Sequence, residues 1–514
     1  MLGATTIKNI EHKLLWGRIS LHVALLSAVL VLGTLLRFYD LGTESYWVDE
    51  VTMARLTSGD FDTIVQQTLR GRPPVYVVLT YGWVQLWGTS EIATRSLAAL
   101  FGVAALGVMY AVGRELFGKT VGLISTFLMA ISEAQIYHSQ TIRYYSLFVL
   151  FGLCSFLFYI RALRTNKPSQ WALYVVCSIL LFYTHTYGIF LLVAQGLYAV
   201  LQWRRYWHIK TSWLISEALI GLGIASSFLS AFTKTTAGEA GVMNWIPDQP
   251  LWAPLLTMYR YVFPDRRLPS ITTIGVAVAF LVLVTVIFVV RQGWPRWMGH
   301  VRQLSTRIRA LSEQVNPLLL VVLWLIIPVF VPFILAQFLG PIYIDRYTIP
   351  AAPALYLLIA LAITTLRYVI PQLATIGLLV VLITPGLYEY YASNVKEEWR
   401  DAAAYIEQQS VPGEAIVFAP HDRGALQRAF SWYYQGALPQ CGIDATLADD
   451  AAIAEALRGC LGGAERFWLV MRGKPDRLAA LRSFFLEHRQ SELRLVQSKH
   501  FTDIDVYTFD VIQR

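Results

Sequence analysis

The chain has 514 residues, 56% of them hydrophobic and 15% charged, with a mean hydropathy of +0.49. That apolar content exceeds what the core of a water-soluble domain requires, so the soluble globular class is excluded and a polytopic membrane protein is indicated. The net charge of +8 is no signal of a nucleic-acid partner, because the Lys and Arg fall in short loops between apolar runs, where they set topology.

The first apolar run, 17–39, has a basic front like a signal peptide, but it is too long and lacks a small-residue cleavage site. It is expected to stay as a first span. A span needs roughly 20 apolar residues, with basic flanks on the cytoplasmic side. Lys8, Lys13 and Arg18 therefore place the N-terminus inside and the stretch "LGTESYWVDEVTMARL" (41–56) outside. Further apolar stretches follow at 95–113, 120–140, 142–160, 170–184, 187–203, 211–233, 271–290, 317–338, 349–367 and 371–388, giving about eleven spans. Basic loops at 114–119, 161–167, 203–210 and 291–309 mark the cytoplasmic side. Parity leaves the short segment 73–88, opened by Pro73 and Pro74, as an interfacial or re-entrant helix on the outer side.

After residue 391 the apolar runs shrink to strand length and charges intersperse. The expected division is a membrane domain, 1–391, and a soluble extracytoplasmic α/β domain, 392–514. In the latter, 396–410, 423–436 and 476–489 read as helices, and 414–420, 466–471 and 503–510 as strands. Cys441 and Cys460 lie in this tail. They form a disulfide if it is extracytoplasmic, or stay as two thiols.

This threading gathers several motifs on the outer face. The first outer loop, 40–72, carries Asp40, Glu44, Asp49, Glu50, Asp60 and Asp62. Taken alone, Trp47 reads as an interfacial anchor and Asp49 as the N-cap of a helix over "EVTMARL". The segment "YHSQTIRYY" (137–145) holds His138, Gln140, Arg143 and Tyr145, and Arg346 opens the span after "LGPIYIDRY" (339–347). Arg72, Arg143 and Arg346 all break the positive-inside pattern. Singly, each can snorkel to lipid headgroups or pair with a carboxylate. Together, beside an acidic loop, their planar forks match a phosphate. No HExxH, CxxC or phosphate-binding glycine loop occurs, and no complete metal ligand set is evident. A divalent cation at Asp49 and Glu50 stays open, with no cofactor required.

The runs "RFYDLGTESYWVDE", "RGRPPVYVVLTYGWVQLWG", "AQIYHSQTIRYYSL", "DRYTIPAAPALYLL" and "EEWRDAAAYI" resemble the successive landmarks of bacterial family 39 type glycosyltransferases of the GT-C class, relatives of protein O-mannosyltransferases and aminoarabinose transferases. The resemblance is strongest over the first 165 residues. It implies a GT-C type membrane fold and transfer of a sugar from a polyprenyl monophosphate donor to an acceptor hydroxyl outside the membrane, with inversion. The acceptor class it leaves open is a protein, a glycolipid or a glycan. By this resemblance Asp49 matches the catalytic base and Glu50 its acidic neighbour. Arg72 stands where relatives place a basic residue before the Pro-Pro pair, meeting the donor phosphate, and Arg143 and Tyr145 match the Arg and Tyr of a second landmark. Here Thr141 replaces the usual Glu of that landmark, and Glu133 stands where Pro is common. Arg346 joins the expected phosphate ligands, while His138, Gln140 and Trp47 are expected substrate contacts. The competing classes are a lipid transporter, which should carry ionisable groups at mid-membrane, and a non-catalytic assembly subunit, which should have lost the acidic loop.

Overall fold

The computed structural model describes residues 21–69, 73–236, 249–264, 315–420, 424–444, 447, 449–473, 479–488 and 492–512. Among these residues the chain forms two compact units, one from 21–39, 61–83 and 95–389, the other from 40–60, 84–94 and 390–512. The expected basic loop 291–309, the span 271–290 and Arg72 lie outside the described residues.

In chain order the helices begin with α1 (Leu21–Phe38), α2 (Val48–Ser58), α3 (Phe61–Leu69), α4 (Pro74–Trp87) and α5 (Glu91–Phe117). They continue with α6 (Lys119–Ile131), α7 (Glu133–Ser139), α8 (Tyr145–Thr165), α9 (Pro168–Thr184), α10 (Gly188–Leu201) and α11 (Lys210–Thr236). After α12 (Ala253–Val262) and α13 (Pro317–Leu339), a 3-10 segment, Asp345–Ala351, runs into α14 (Ala352–Thr365), and α15 (Val369–Ala392) follows. Seven helices among the described residues are long and apolar enough to cross a membrane, or eight with the bent pair α6 and α7, so the chain is a multi-pass membrane protein. The expected span 120–140 is not one straight helix. It bends by 63° between α6 and α7. Ser132 makes the break, because its hydroxyl accepts the Gln135 N–H that opens α7 and also bonds the Tyr261 carbonyl and the Tyr356 hydroxyl.

Glycines let α5 and α6 pack backbone against backbone. Gly118, with φ at 95°, turns α5 into α6, and a Cβ on Gly122 would sit 2.9 Å from the Arg114 nitrogen and the Tyr110 carbonyl. Only a missing side chain lets the two backbones approach so closely. Deeper in the core, Phe156 stacks on Trp324 with ring centroids 3.9 Å apart, and Trp324 donates to the Pro350 carbonyl at 2.9 Å. Glu115 at the end of α5 pairs with Arg161 at 3.1 Å and Arg164 at 2.9 Å on α8.

The second unit is built on a five-stranded sheet: β1 (Ala415–Ala419), β2 (Gln440–Gly442), β3 (Arg466–Arg472), β4 (Leu493–Phe501) and β5 (Ile504–Val511), in the order β2-β1-β3-β5-β4. Strands β2, β1 and β3 run parallel; β5 is antiparallel to β3 and β4. Every residue of β1 is buried, as an uninterrupted apolar strand between covered faces requires. The helices here are α16 (Trp399–Gln409), α17 (Ala425–Tyr433), α18 (Asp450–Leu461) and a last helical stretch, 479–488. Cys441 on β2 and Cys460 on α18 are joined as a disulfide with Cα atoms 5.6 Å apart. Segment 40–60, with α2, is part of this unit, packed on α17 with the Arg55 guanidinium 5.9 Å from the Trp432 ring centre.

Candidate functional site

In the first unit, three turns bring arginine, histidine and tyrosine together. The end of α7 supplies His138, the turn to α8 supplies Arg143 and Tyr144, and α8 opens with Tyr145. The three-residue turn after α9 supplies His185 and Tyr187, and the 3-10 segment supplies Asp345, Arg346 and Tyr347. His185 is the hub, its ring 4.8 Å from Tyr144, 4.5 Å from Tyr347 and 5.5 Å from Tyr187. His138 lies 4.5 Å from Tyr145. The guanidiniums of Arg143 and Arg346 lean over the rings of Tyr144 and Tyr347, at 5.1 and 5.8 Å.

The electrostatics follow from this layout. Burial, then Arg143, then Arg346 push the His185 imidazole down to about 3. Its Nδ1 accepts the Tyr187 N–H at 3.1 Å, so in the neutral ring Nε2 carries the proton and acts as a donor. Arg346 and Arg143 also act on His138 together with Asp345. Asp345 does not cancel this positive field alone, because its Oδ2 pairs with Arg260 at 2.8 Å. The His138 Nδ1 is buried without a hydrogen-bond partner among the described residues. Two half-buried cations, a neutral imidazole donor and tyrosine rings form a chemistry suited to an anion with an apolar or sugar neighbour.

Asp49 and Glu50 stand in the second unit, in the first turn of α2. The expected N-cap was Asp49; the structure places the cap two residues earlier, at Trp47, with Asp49 second in the helix. Glu50 is fully buried, and its Oε2 accepts the Trp47 N–H at 3.4 Å, which satisfies a donor that the helix itself leaves open. This carboxylate therefore closes a helix end. Asp49 is half-buried. Gln140 also serves the fold, since its amide nitrogen bonds the carbonyls of Leu36, Arg37 and Tyr39 at 3.2, 3.3 and 2.6 Å and so closes the end of α1.

Of the residues singled out in the sequence, Arg143, Tyr145, His138 and Arg346 converge in the first unit, while Trp47, Asp49 and Glu50 share the second. His185, Tyr187, Tyr144 and Tyr347 were missed. The available signal was a histidine in the three-residue turn between two apolar helices. Among the described residues no three His, Cys, Asp or Glu side chains cluster as a metal site.

Residues 71–230 match the family described as dolichyl-phosphate-mannose-protein mannosyltransferase. No curated protein matches the chain by sequence. Among solved structures, ArnT from Cupriavidus metallidurans in the apo state is 14% identical over 96% of this chain and 98% of its own, with a TM-score of 0.51. The same protein bound to undecaprenyl phosphate gives the same identity, coverage and TM-score. The archaeal oligosaccharyltransferase AglB from Archaeoglobus fulgidus, in complex with an inhibitory peptide and a dolichol-phosphate, is 13% identical over 96% of this chain and 74% of its own, with a TM-score of 0.52. At such identities the likeness is one of fold. The mostly helical membrane architecture and the small C-terminal sheet give the chain a GT-C type fold, and its residues 71–230 are similar to the mannosyltransferase family.

Proposed function

We propose that the chain is a membrane glycosyltransferase that moves a sugar from a polyprenyl-phosphate-linked donor to an acceptor hydroxyl at the outer face of the membrane. The observation that carries this reading is the pair of guanidiniums, Arg143 and Arg346, acting on one neutral His185 inside a GT-C fold. Two of the structural relatives are solved with lipid phosphates, undecaprenyl phosphate in ArnT and a dolichol-phosphate in AglB, which have the head group that such a cluster suits. In this reading Arg143, Arg346 and Arg72 hold the donor phosphate, with Tyr145 and the His185 Nε2–H as neutral partners. The acceptor oxygen attacks the anomeric carbon from the face opposite the phosphate, the carbon–phosphate-oxygen bond breaks with its electron pair on the phosphate, and Asp49 takes the acceptor proton. The configuration inverts. The cations lower the barrier because they meet charge that grows on the leaving group.

We assign the base to Asp49 alone, since Glu50 is occupied at the N-terminus of α2. The reading requires no cofactor. The basic loops and the Cys441–Cys460 bridge support a cytoplasmic N-terminus and an extracytoplasmic tail. The acceptor is a protein, a glycolipid or a glycan. Asp49→Asn, assayed in membranes with a polyprenyl-phosphate sugar, is expected to lose about 10²- to 10⁴-fold in kcat. Full retained activity removes Asp49 as the base.

A further inference from the structure

The stretch 43–48, which leads into α2, is held at successive residues by the C-terminal part of its own unit. The Thr43 carbonyl accepts from Arg400 at 3.1 Å. The Glu44 carboxylate pairs with the buried Lys396 ammonium at 3.3 Å. Ser45 donates to the Glu397 carbonyl at 2.6 Å, and the Tyr46 N–H donates to the Tyr433 hydroxyl at 2.7 Å. Glu397 then reaches the helix itself, its Oε2 accepting the Val48 N–H at 3.1 Å. That amide belongs to the first turn of α2, next to Asp49, and has no partner within the helix.

Glu397 is 4% exposed, and a lone carboxylate at that depth is costly. Burial raises its pKa, and the Arg472 guanidinium on β3, 2.6 Å from Oε1, and the Trp399 indole N–H, 2.5 Å from Oε2, oppose that rise by favouring the anion. A buried anion at a helix N-terminus also meets the positive end of the helix dipole. The same carboxylate is thus fixed on the sheet side by Arg472 and fixes the helix on the other. From within the loop, Glu50 meets the Trp47 N–H at 3.4 Å, while the amides on either side of it, Tyr46 and Val48, are met by Tyr433 and Glu397.

We propose that Glu397, held by Arg472, is the positioning residue for the base, and that the C-terminal domain serves the reaction by orienting the helix that carries Asp49. The inference rests on Asp49 as the base. The mechanism is geometric. General-base catalysis needs the carboxylate within hydrogen-bond reach of the acceptor hydroxyl, and loosening the first turn of α2 spreads Asp49 over orientations that do not reach it.

The test uses the full-length chain in membranes or detergent. Glu397→Gln leaves Val48 with a neutral acceptor in place of a charge-assisted one, so amide exchange over 46–50 should rise about tenfold or more. With a polyprenyl-phosphate sugar as donor, kcat should fall about tenfold while the donor KM stays within about twofold, because the donor's own ligands are untouched. Arg472→Gln should behave likewise, whereas Arg472→Lys, which keeps a cation beside Glu397, should retain most of kcat. If Glu397→Gln does not yield folded protein, Tyr433→Phe removes the Tyr46 acceptor and should raise exchange in the same window. Exchange unchanged in these variants, or raised exchange with kcat unchanged, overturns the proposal while the base assignment stands. Full activity in Asp49→Asn overturns both.

Discussion

Replacing His185 by Gln removes a titrating ring from the turn after α9 and leaves a polar side chain in its place. In the folded chain burial, then Arg143 and Arg346, hold this imidazole at about 3, against 6.5 for an ordinary histidine. The unfolded chain therefore binds the proton more readily than the folded one. Stability from this group is complete above about pH 6.5, begins to fall as pH drops through that value, and goes on falling until about pH 3. The whole gap corresponds to roughly 5 kcal/mol. Between pH 7 and pH 5 the titration of the unfolded form alone expresses about 2 kcal/mol of it. Unfolding of the detergent-solubilised chain, followed at both pH values, should show wild type losing about 2 kcal/mol more than His185→Gln. Parallel pH dependence in the two proteins refutes the placement of His185 between two cations. Addition of a polyprenyl phosphate supplies a counter-charge and should reduce the pH sensitivity of wild type while leaving the variant unmoved.

Arg143→Gln and Arg346→Gln should each reduce kcat/KM by about tenfold to a hundredfold, the worth of a charge-assisted bond to phosphate. If both meet one phosphate, the double variant falls by less than the product of the single effects; simple multiplication counts against a shared anion. Gly122→Leu forces the backbones of α5 and α6 apart and should lower stability by about 1–3 kcal/mol in thermal unfolding, whereas Gly107→Ala, with open space around it, should be neutral or mildly stabilising. In intact cells Cys441 and Cys460 should resist a maleimide until a membrane-impermeant reductant is added outside, and labelling without reduction contradicts an extracytoplasmic tail.

What the sequence revealed divides along a physical line. Hydropathy located the long helices because a bilayer demands an unbroken apolar run, and it located β1 and β3 because central parallel strands are apolar throughout. It missed β4, whose residues 494–496 are exposed, because an edge strand carries little alternation to read. It missed β2 because three residues are too few for any period. Arg143 and Arg346 stood out by breaking a charge rule. His185 and its tyrosine neighbours did not, since aromatic residues are common at every membrane interface.

The acidic loop shows why the remainder was hidden. Local rules favour Asp49 as a cap, since Asp is among the best N-cap residues and large apolar side chains are among the poorest. The helix nevertheless begins at Val48, with Trp47 as its cap. Two carboxylates outside the cap position make this possible. Glu50, three residues on, takes the Trp47 N–H, and Glu397, 349 residues away in the chain, takes the Val48 N–H. Once these two amides are satisfied from elsewhere, the cap position has no need of a polar side chain, and the helix can begin one residue before Asp49. No reading of residues 41–56 by themselves can reveal that start, because half of its cause is folded in from the far end of the chain.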